Sequence, residues 1–223
     1  MKPGFLSAVV ILLGVVVFSA GSIHPQDQPA QKPKPSMPSS LQQPEAAASA
    51  PARSPAEKYF SDVELINQDG QKMRFYTDVL KDKVVVINTF FVTCTSVCPP
   101  LNRNMEKVQE ALGDRLGKDA FLVSISVDPE ADTPPRLKEY SRRFHARPGW
   151  IFLTGKKENV DWALYKLGQY VESRDDHSTI MIVGNEPKGL WKKAFGLAKP
   201  DELIQIVEDV INDRVSLFVR KPQ

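Results

Sequence analysis

The sequence has little charge of either sign to spare. Its 29 Lys and Arg stand against 27 Asp and Glu, for a net charge of +2. So even a balance excludes a nucleic-acid-binding surface as the organising feature. Internal repeats are absent, which excludes a solenoid or other array. Cysteine is scarce, with two in 223 residues, and histidine nearly so, with three. No cysteine follows the N-terminal apolar run, so a lipid-modified anchor is excluded. The cysteines are not spaced Cys-x2-Cys, and Asp128 and Glu130 make no convincing acid/base pair.

Three regions of different composition follow one another. Lys2 precedes an uncharged apolar stretch from Phe5 to Ala20. That stretch is short for a membrane span and long for a signal-peptide core. Residues 1–21 are therefore expected to be a signal peptide or an N-terminal membrane anchor. Phe18, third before a cut after Ala20, favours the anchor, and either form exports the body of the chain. Residues 22–56 carry eight of the eighteen prolines. They read as a disordered, Pro-rich linker, rising about 3.1 Å per residue where extended. Residues 57–223 remain as one folded domain, of about 150–170 residues.

Within that domain the hydrophobic periods alternate. Asp69-Gly70 marks the turn of a hairpin over Val63 to Phe75. Lys83 to Phe91 and Ala120 to Val127 are near-continuous apolar runs, expected to be strands covered on both faces. A helix from Pro100 to about Leu116 follows the first. A helix from Pro134, capped by Thr133, runs to about Phe144 after the second. Trp150 to Leu153 and Thr179 to Val183 are shorter strands, with a helix from Glu158 to Leu167 between them. Leu190 to Phe195 is expected to pair back as an edge strand, and Pro200 to about Asp213 to form the last helix. This order predicts an α/β domain with a central mixed sheet flanked by helices and an N-terminal β-hairpin.

Both cysteines lie at the first strand-to-helix junction, in Cys94-Thr-Ser-Val-Cys98-Pro-Pro100. A residue before proline is biased out of the helical region and proline suits the first helical turn. Cys98 and Pro99 are therefore expected outside the helix, with both sulfurs aimed at its N-terminus. The positive end of the helix dipole should lower both thiol pKa values. Two such thiols can form a disulfide, bind a soft metal, or do both in turn. A structural disulfide is the bland alternative, but so small a loop would add little stability by chain entropy. A dithiol at this junction, in this element order, is the thioredoxin plan.

The chain resembles the Sco/SenC family of thioredoxin-like copper-binding proteins linked to cytochrome c oxidase assembly. The likeness rests on Cys94-x3-Cys98-Pro99, on Ser126-Val-Asp128-Pro-Glu-Ala-Asp132-Thr133-Pro134 with Trp150-Ile-Phe-Leu-Thr-Gly155, and on Asp176-His177-Ser178 before a strand. Thr95 stands where the family often has proline, and Ile180 to Asn185 departs from the family's usual strand. The resemblance implies a copper site of Cys94, Cys98 and His177. Two thiolates and one neutral imidazole suit Cu(I), with Cu(II) as the second oxidation state. It also implies a periplasmic or equivalent extracytoplasmic location. The partner would be a copper-accepting oxidase subunit or a thiol protein. The alternative is an exported thiol–disulfide oxidoreductase or thiol peroxidase, in which Cys94 attacks and Cys98 resolves. Asp176 is a candidate to orient the His177 ring. Asp128 and Asp132 are expected to stabilise their loop and cap. His24 and His145 are assigned no role, and Met105 and Met181 are read as core.

Overall fold

A computed structural model describes residues 34–42 and 54–212. The expected targeting segment, much of the linker and the tail from residue 213 lie outside the described residues. Among the described residues no helix is long and apolar enough to cross a membrane.

Six helices and seven strands are used here: α1 Ser39–Gln42, α2 Pro55–Phe60, β1 Glu64–Asn67, β2 Lys72–Arg74, β3 Val84–Phe90, α3 Cys98–Leu112, β4 Phe121–Ser126, α4 Pro134–Arg142, β5 Trp150–Thr154, α5 Lys157–Lys166, β6 Ile180–Asn185, β7 Leu190–Phe195 and α6 Pro200–Ile211. The strands form one sheet in the order β2-β1-β5-β4-β3-β6-β7. β3 runs parallel to β4, and β4 to β5, joined by α3 and α4 as crossovers. β6 pairs antiparallel with β3, β7 antiparallel with β6, and the N-terminal hairpin adds to β5 through β1. This is the thioredoxin-like arrangement, with the mixed sheet and the N-terminal hairpin in their expected places.

The period-2 geometry of strands divides the core. Val86 and Phe90 of β3 face one layer with Leu122 of β4. There Leu101 and Met105 of α3, Leu137 and Tyr140 of α4, and Leu203 and Val207 of α6 cover them. Val85 and Ile87 face the other layer with Val123 and Ile125, under Val160 and Leu164 of α5 and Phe60 of α2. Both cysteines belong to the first layer. Met105 and Met181 are core residues there, at 0% and 1% exposure.

One helix start and one cap differ from the sequence reading. α3 begins at Cys98, two residues before Pro100. Pro99 and Pro100 then occupy positions whose N–H groups have no partner within a helix, so their missing donors cost nothing. The Val97 carbonyl already accepts from the Leu101 N–H at 3.1 Å, which closes the first turn. Thr133 does sit at the cap position of α4, but its side chain makes no capping hydrogen bond. Pro135 fills the second helical position and has no N–H to offer it. A single π-helical turn, Phe75–Leu80, was not expected, and it buries Phe75, Tyr76, Val79 and Leu80 beneath the second layer. One position of β6 carries a packing constraint. A side chain at Gly184 would stand 2.2 Å from the Trp191 ring that crosses it.

Residues 34–42 lie against the domain rather than apart from it. The Lys34 ammonium sits 5.5 Å from the centre of the Trp162 ring, and Leu41 packs on the second layer.

The aromatic cluster around Phe152 should dominate the stability of the first layer. Phe152 is fully buried and meets Phe90, Tyr140 and Trp150. Urea unfolding of Phe152→Ala should show a loss of about 3–5 kcal/mol. Phe195→Ala, at a position 56% exposed, should change stability by no more than about 0.5 kcal/mol. Equal effects would refute this layering.

Candidate metal centre

The site stands at the C-terminal end of β3, where open α/β sheets bind their ligands. From Phe90 the chain turns through Phe91 to Cys94 and enters α3 at Cys98. The Cys98 N–H, the first of the helix, points at the Cys94 sulfur over 3.4 Å. The antiparallel pairing of β6 with β3 brings the start of β6 back to the same end of the sheet. The buried Thr89 hydroxyl donates to the Ser178 carbonyl at 3.2 Å and fixes the loop that carries His177. His177 Nε2 therefore lies 3.2 Å from Cys98 Sγ. One donor atom from each of Cys94, Cys98 and His177 falls within 4.8 Å of the others. They are the one such His, Cys, Asp or Glu group among the described residues.

The imidazole is held from behind. Its Nδ1 lies 2.9 Å from the Arg174 carbonyl. A carbonyl only accepts, so Nδ1 carries the hydrogen and Nε2 presents its lone pair to the sulfurs. The orienting group is thus a backbone oxygen, not the carboxylate of Asp176. Phe91 packs edge-on against the ring at 5.2 Å. The Arg174 guanidinium lies over the Phe91 ring, also at 5.2 Å, and pairs with Asp128. Burial lowers the His177 pKa below the ordinary imidazole value, although the Arg174 carbonyl opposes this. At neutral pH the ring is neutral.

The two thiols are not alike. Both are reduced and buried, Cys98 completely and Cys94 at 7% exposure. Burial pushes the Cys94 thiol up, but hydrogen bonds from Cys98 and Ser96 outweigh it and leave the pKa lowered. Burial raises the Cys98 thiol far above the ordinary range, and its hydrogen bond with Cys94 adds to this. The sequence expectation of two acidic thiols therefore holds for Cys94 and fails for Cys98. Complete burial of Cys98 costs its thiolate more than the helix N-terminus returns.

A polar brace lies beneath the cysteine loop. Asp132 is fully buried, and its Oδ2 accepts from the Val92 N–H at 3.0 Å and the Ser126 hydroxyl at 2.7 Å. Its Oδ1 has no partner, and burial raises its pKa. Ser126 Oγ also accepts from the Asp128 N–H at 3.0 Å. The Ser126-to-Asp132 motif thus ties the end of β4 to the start of the cysteine loop. Below it, Trp150 Nε1 donates to Ser124 Oγ, Ser124 to Asn88, Asn88 to Asn102, and Asn102 to the Tyr140 oxygen. Sequence reasoning missed this chain, although Asn88 and Ser124 inside apolar strands were its signal. His145 is exposed beside Glu106 at 2.6 Å, away from the group of three, and His24 lies outside the described residues.

The SCO1/SenC family model matches residues 51–212. A SCO2-like protein of Rickettsia conorii is 37% identical over 162 residues, covering 68% of this chain and 77% of its own. The solved structure of Arabidopsis thaliana ScoI with copper bound is similar at 26% identity and a TM-score of 0.58, over 69% of this chain and 98% of that one. BsSco, described as a member of the Sco family of cytochrome c oxidase assembly proteins in which a disulfide switch was identified, is similar at 25% identity and a TM-score of 0.56. That match covers 67% of this chain and 91% of the BsSco chain.

The inequality of the thiols has a direct chemical readout. Iodoacetamide at neutral pH should alkylate Cys94 faster than Cys98, by about tenfold or more, as thiolate fraction and access both dictate. Peptide mass spectrometry over time measures the two rates, and faster labelling of Cys98 would contradict the assignment.

Proposed function

The chain belongs to the SCO1/SenC family, and on that premise we propose that it is a copper-binding protein serving assembly of a respiratory oxidase copper centre. The observation that carries this is the convergence of two sulfurs and one imidazole nitrogen from residues 94, 98 and 177. The donor chemistry fits. Thiolate with imidazole is a soft set that favours Cu(I) over harder divalent ions, with Cu(II) reachable as the oxidised state. His177 is already neutral and oriented, and Cys94 is the readier thiolate. Bound copper would supply a one-electron couple and an exchangeable cargo.

The chain's own part is to hold the three ligands and to give up the thiol protons. Cys98 must lose its proton to ligate, and the raised pKa makes that loss costly. Metal binding therefore competes with a proton, and affinity should rise as pH rises. The protein would be exported and tethered at the periplasmic face of the inner membrane, or in an equivalent compartment, by its N-terminal segment. The apolar run of residues 5–20 supports that reading. Its partner would be a copper-accepting oxidase subunit or a thiol protein.

A second reading has an observation of its own. An acidic thiol, Cys94, beside a buried protonated one, Cys98, is the division of labour of a thiol–disulfide oxidoreductase or thiol peroxidase. Cys94 would attack and Cys98 would resolve.

Anaerobic Cu(I) titration against a competing chelator tests the primary reading. One copper should bind per chain. His177→Ala should lower affinity by more than the roughly 10–100-fold typical of losing a group behind a ligand, and Cys98→Ser should abolish tight binding. Full affinity in His177→Ala would sink the three-ligand site. Rapid dithiol or peroxide turnover indifferent to copper would favour the second reading.

A further inference from the structure

A cleft of about 630 Å³ opens beside Cys94, between the N-terminal half of α3 and α4. Its floor holds Cys94, Tyr140 and Phe144, and its walls carry Arg103, Arg136 and Arg143. No Asp or Glu lines it. The residues on the α4 side, 136, 140, 143 and 144, fall at the spacing that shares one helical face, and Arg103 follows Pro99 by one turn on α3. Three arginines thus border one concavity that leads to a thiol. They are only weakly neutralised. Arg136 donates to an uncharged partner, the Ala131 carbonyl, at 2.8 Å. Arg143 meets Glu139 at 3.4 Å in an exposed pair, which contributes little. Arg103 is exposed and has no carboxylate partner among the described residues.

We propose that this cleft docks an acidic segment of the protein partner and presents that partner's sulfur to Cys94. The proposal rests on the reading that the cysteine pair exchanges copper or electrons with another protein. Guanidinium forks bind carboxylates in a fixed, often bidentate geometry, so three of them select an extended acidic segment over a basic one. His177 does not line the cleft, so docking there leaves the imidazole in place. Partner choice and ligand chemistry are thereby separated within one site.

Thiol–disulfide exchange reports on the cleft without knowledge of the partner. The probe is the pentapeptide Glu-Glu-Cys-Glu-Glu as its symmetrical disulfide, compared with Lys-Lys-Cys-Lys-Lys. In the metal-free Cys98→Ser chain, the Cys94 thiolate attacks one peptide sulfur. The peptide S–S bond breaks, a mixed disulfide forms, and one peptide thiolate leaves with the electron pair. At low ionic strength the acidic probe should react about tenfold or more faster than the basic one. The ratio should fall to about twofold or less in R103Q/R136Q/R143Q, and towards unity in high salt. R103Q alone, an exposed change, should remove part of it. K58Q/K166Q/K193Q, which removes as much charge elsewhere, should leave the ratio intact. A ratio insensitive to the arginines, or equally lowered by the lysine changes, would overturn the cleft assignment. Glutathione disulfide matching the acidic peptide in rate and arginine dependence would show that the cleft takes a small anionic thiol, and would overturn the protein-segment assignment. Copper titration of R103Q/R136Q/R143Q should give the wild-type stoichiometry. Absence of copper binding in the wild-type chain would end the metal reading while the rate ratio still decides the cleft.

Discussion

The pairing of β6 against β3 is the constraint on which the site depends. Cys94 and Cys98 leave the C-terminal end of β3, and His177 lies just before β6. A parallel β6 would have carried that histidine to the opposite end of the sheet. Because the two strands run antiparallel, with Ile87 opposite Ile182, the start of one meets the end of the other. The Thr89 hydroxyl on the Ser178 carbonyl then closes the remaining gap. Seventy-nine residues of separation collapse to a contact of 3.2 Å between Nε2 and Sγ.

What surrounds this contact holds it in place. The imidazole is fixed by a backbone carbonyl, a partner that cannot titrate, so its tautomer holds across the physiological range. The Asp132 carboxylate, buried and only half satisfied, grips Val92 and Ser126 and so sets the height of the cysteine loop. Its desolvation cost is the kind of expense that functional sites retain and structural cores avoid. The helix N-terminus acts on one sulfur only. It supports Cys94 through the Cys98 N–H, while Cys98 itself is sunk in the first core layer.

Much of this was legible in the residues. The apolar runs at Lys83–Phe91 and Ala120–Val127, the Asp69-Gly70 turn and the proline-led helices marked the element order, because those signals are local. The cysteine loop was legible for the same reason. Three features were not. The start of α3 at Cys98 reflects a carbonyl and a sulfur that capture the first N–H groups, and these outweigh a steric bias known from dipeptides. The raised pKa of Cys98 comes from helices packed over it, whose positions no spacing encodes. Arg174 was missed because its useful atom is a carbonyl, which every residue has.

The architecture gives one protein two separable properties: a three-donor pocket formed by the strand pairing, and a positively charged approach formed by α3 and α4. The first is the feature on which the rest depends. X-ray absorption spectroscopy of the Cu(I)-loaded protein tests it most directly, by counting sulfur and imidazole scatterers. The account predicts two sulfurs and one imidazole, with the imidazole signal lost in His177→Ala. A spectrum of sulfur donors alone in the unaltered protein, or an imidazole signal that survives the substitution, would contradict it.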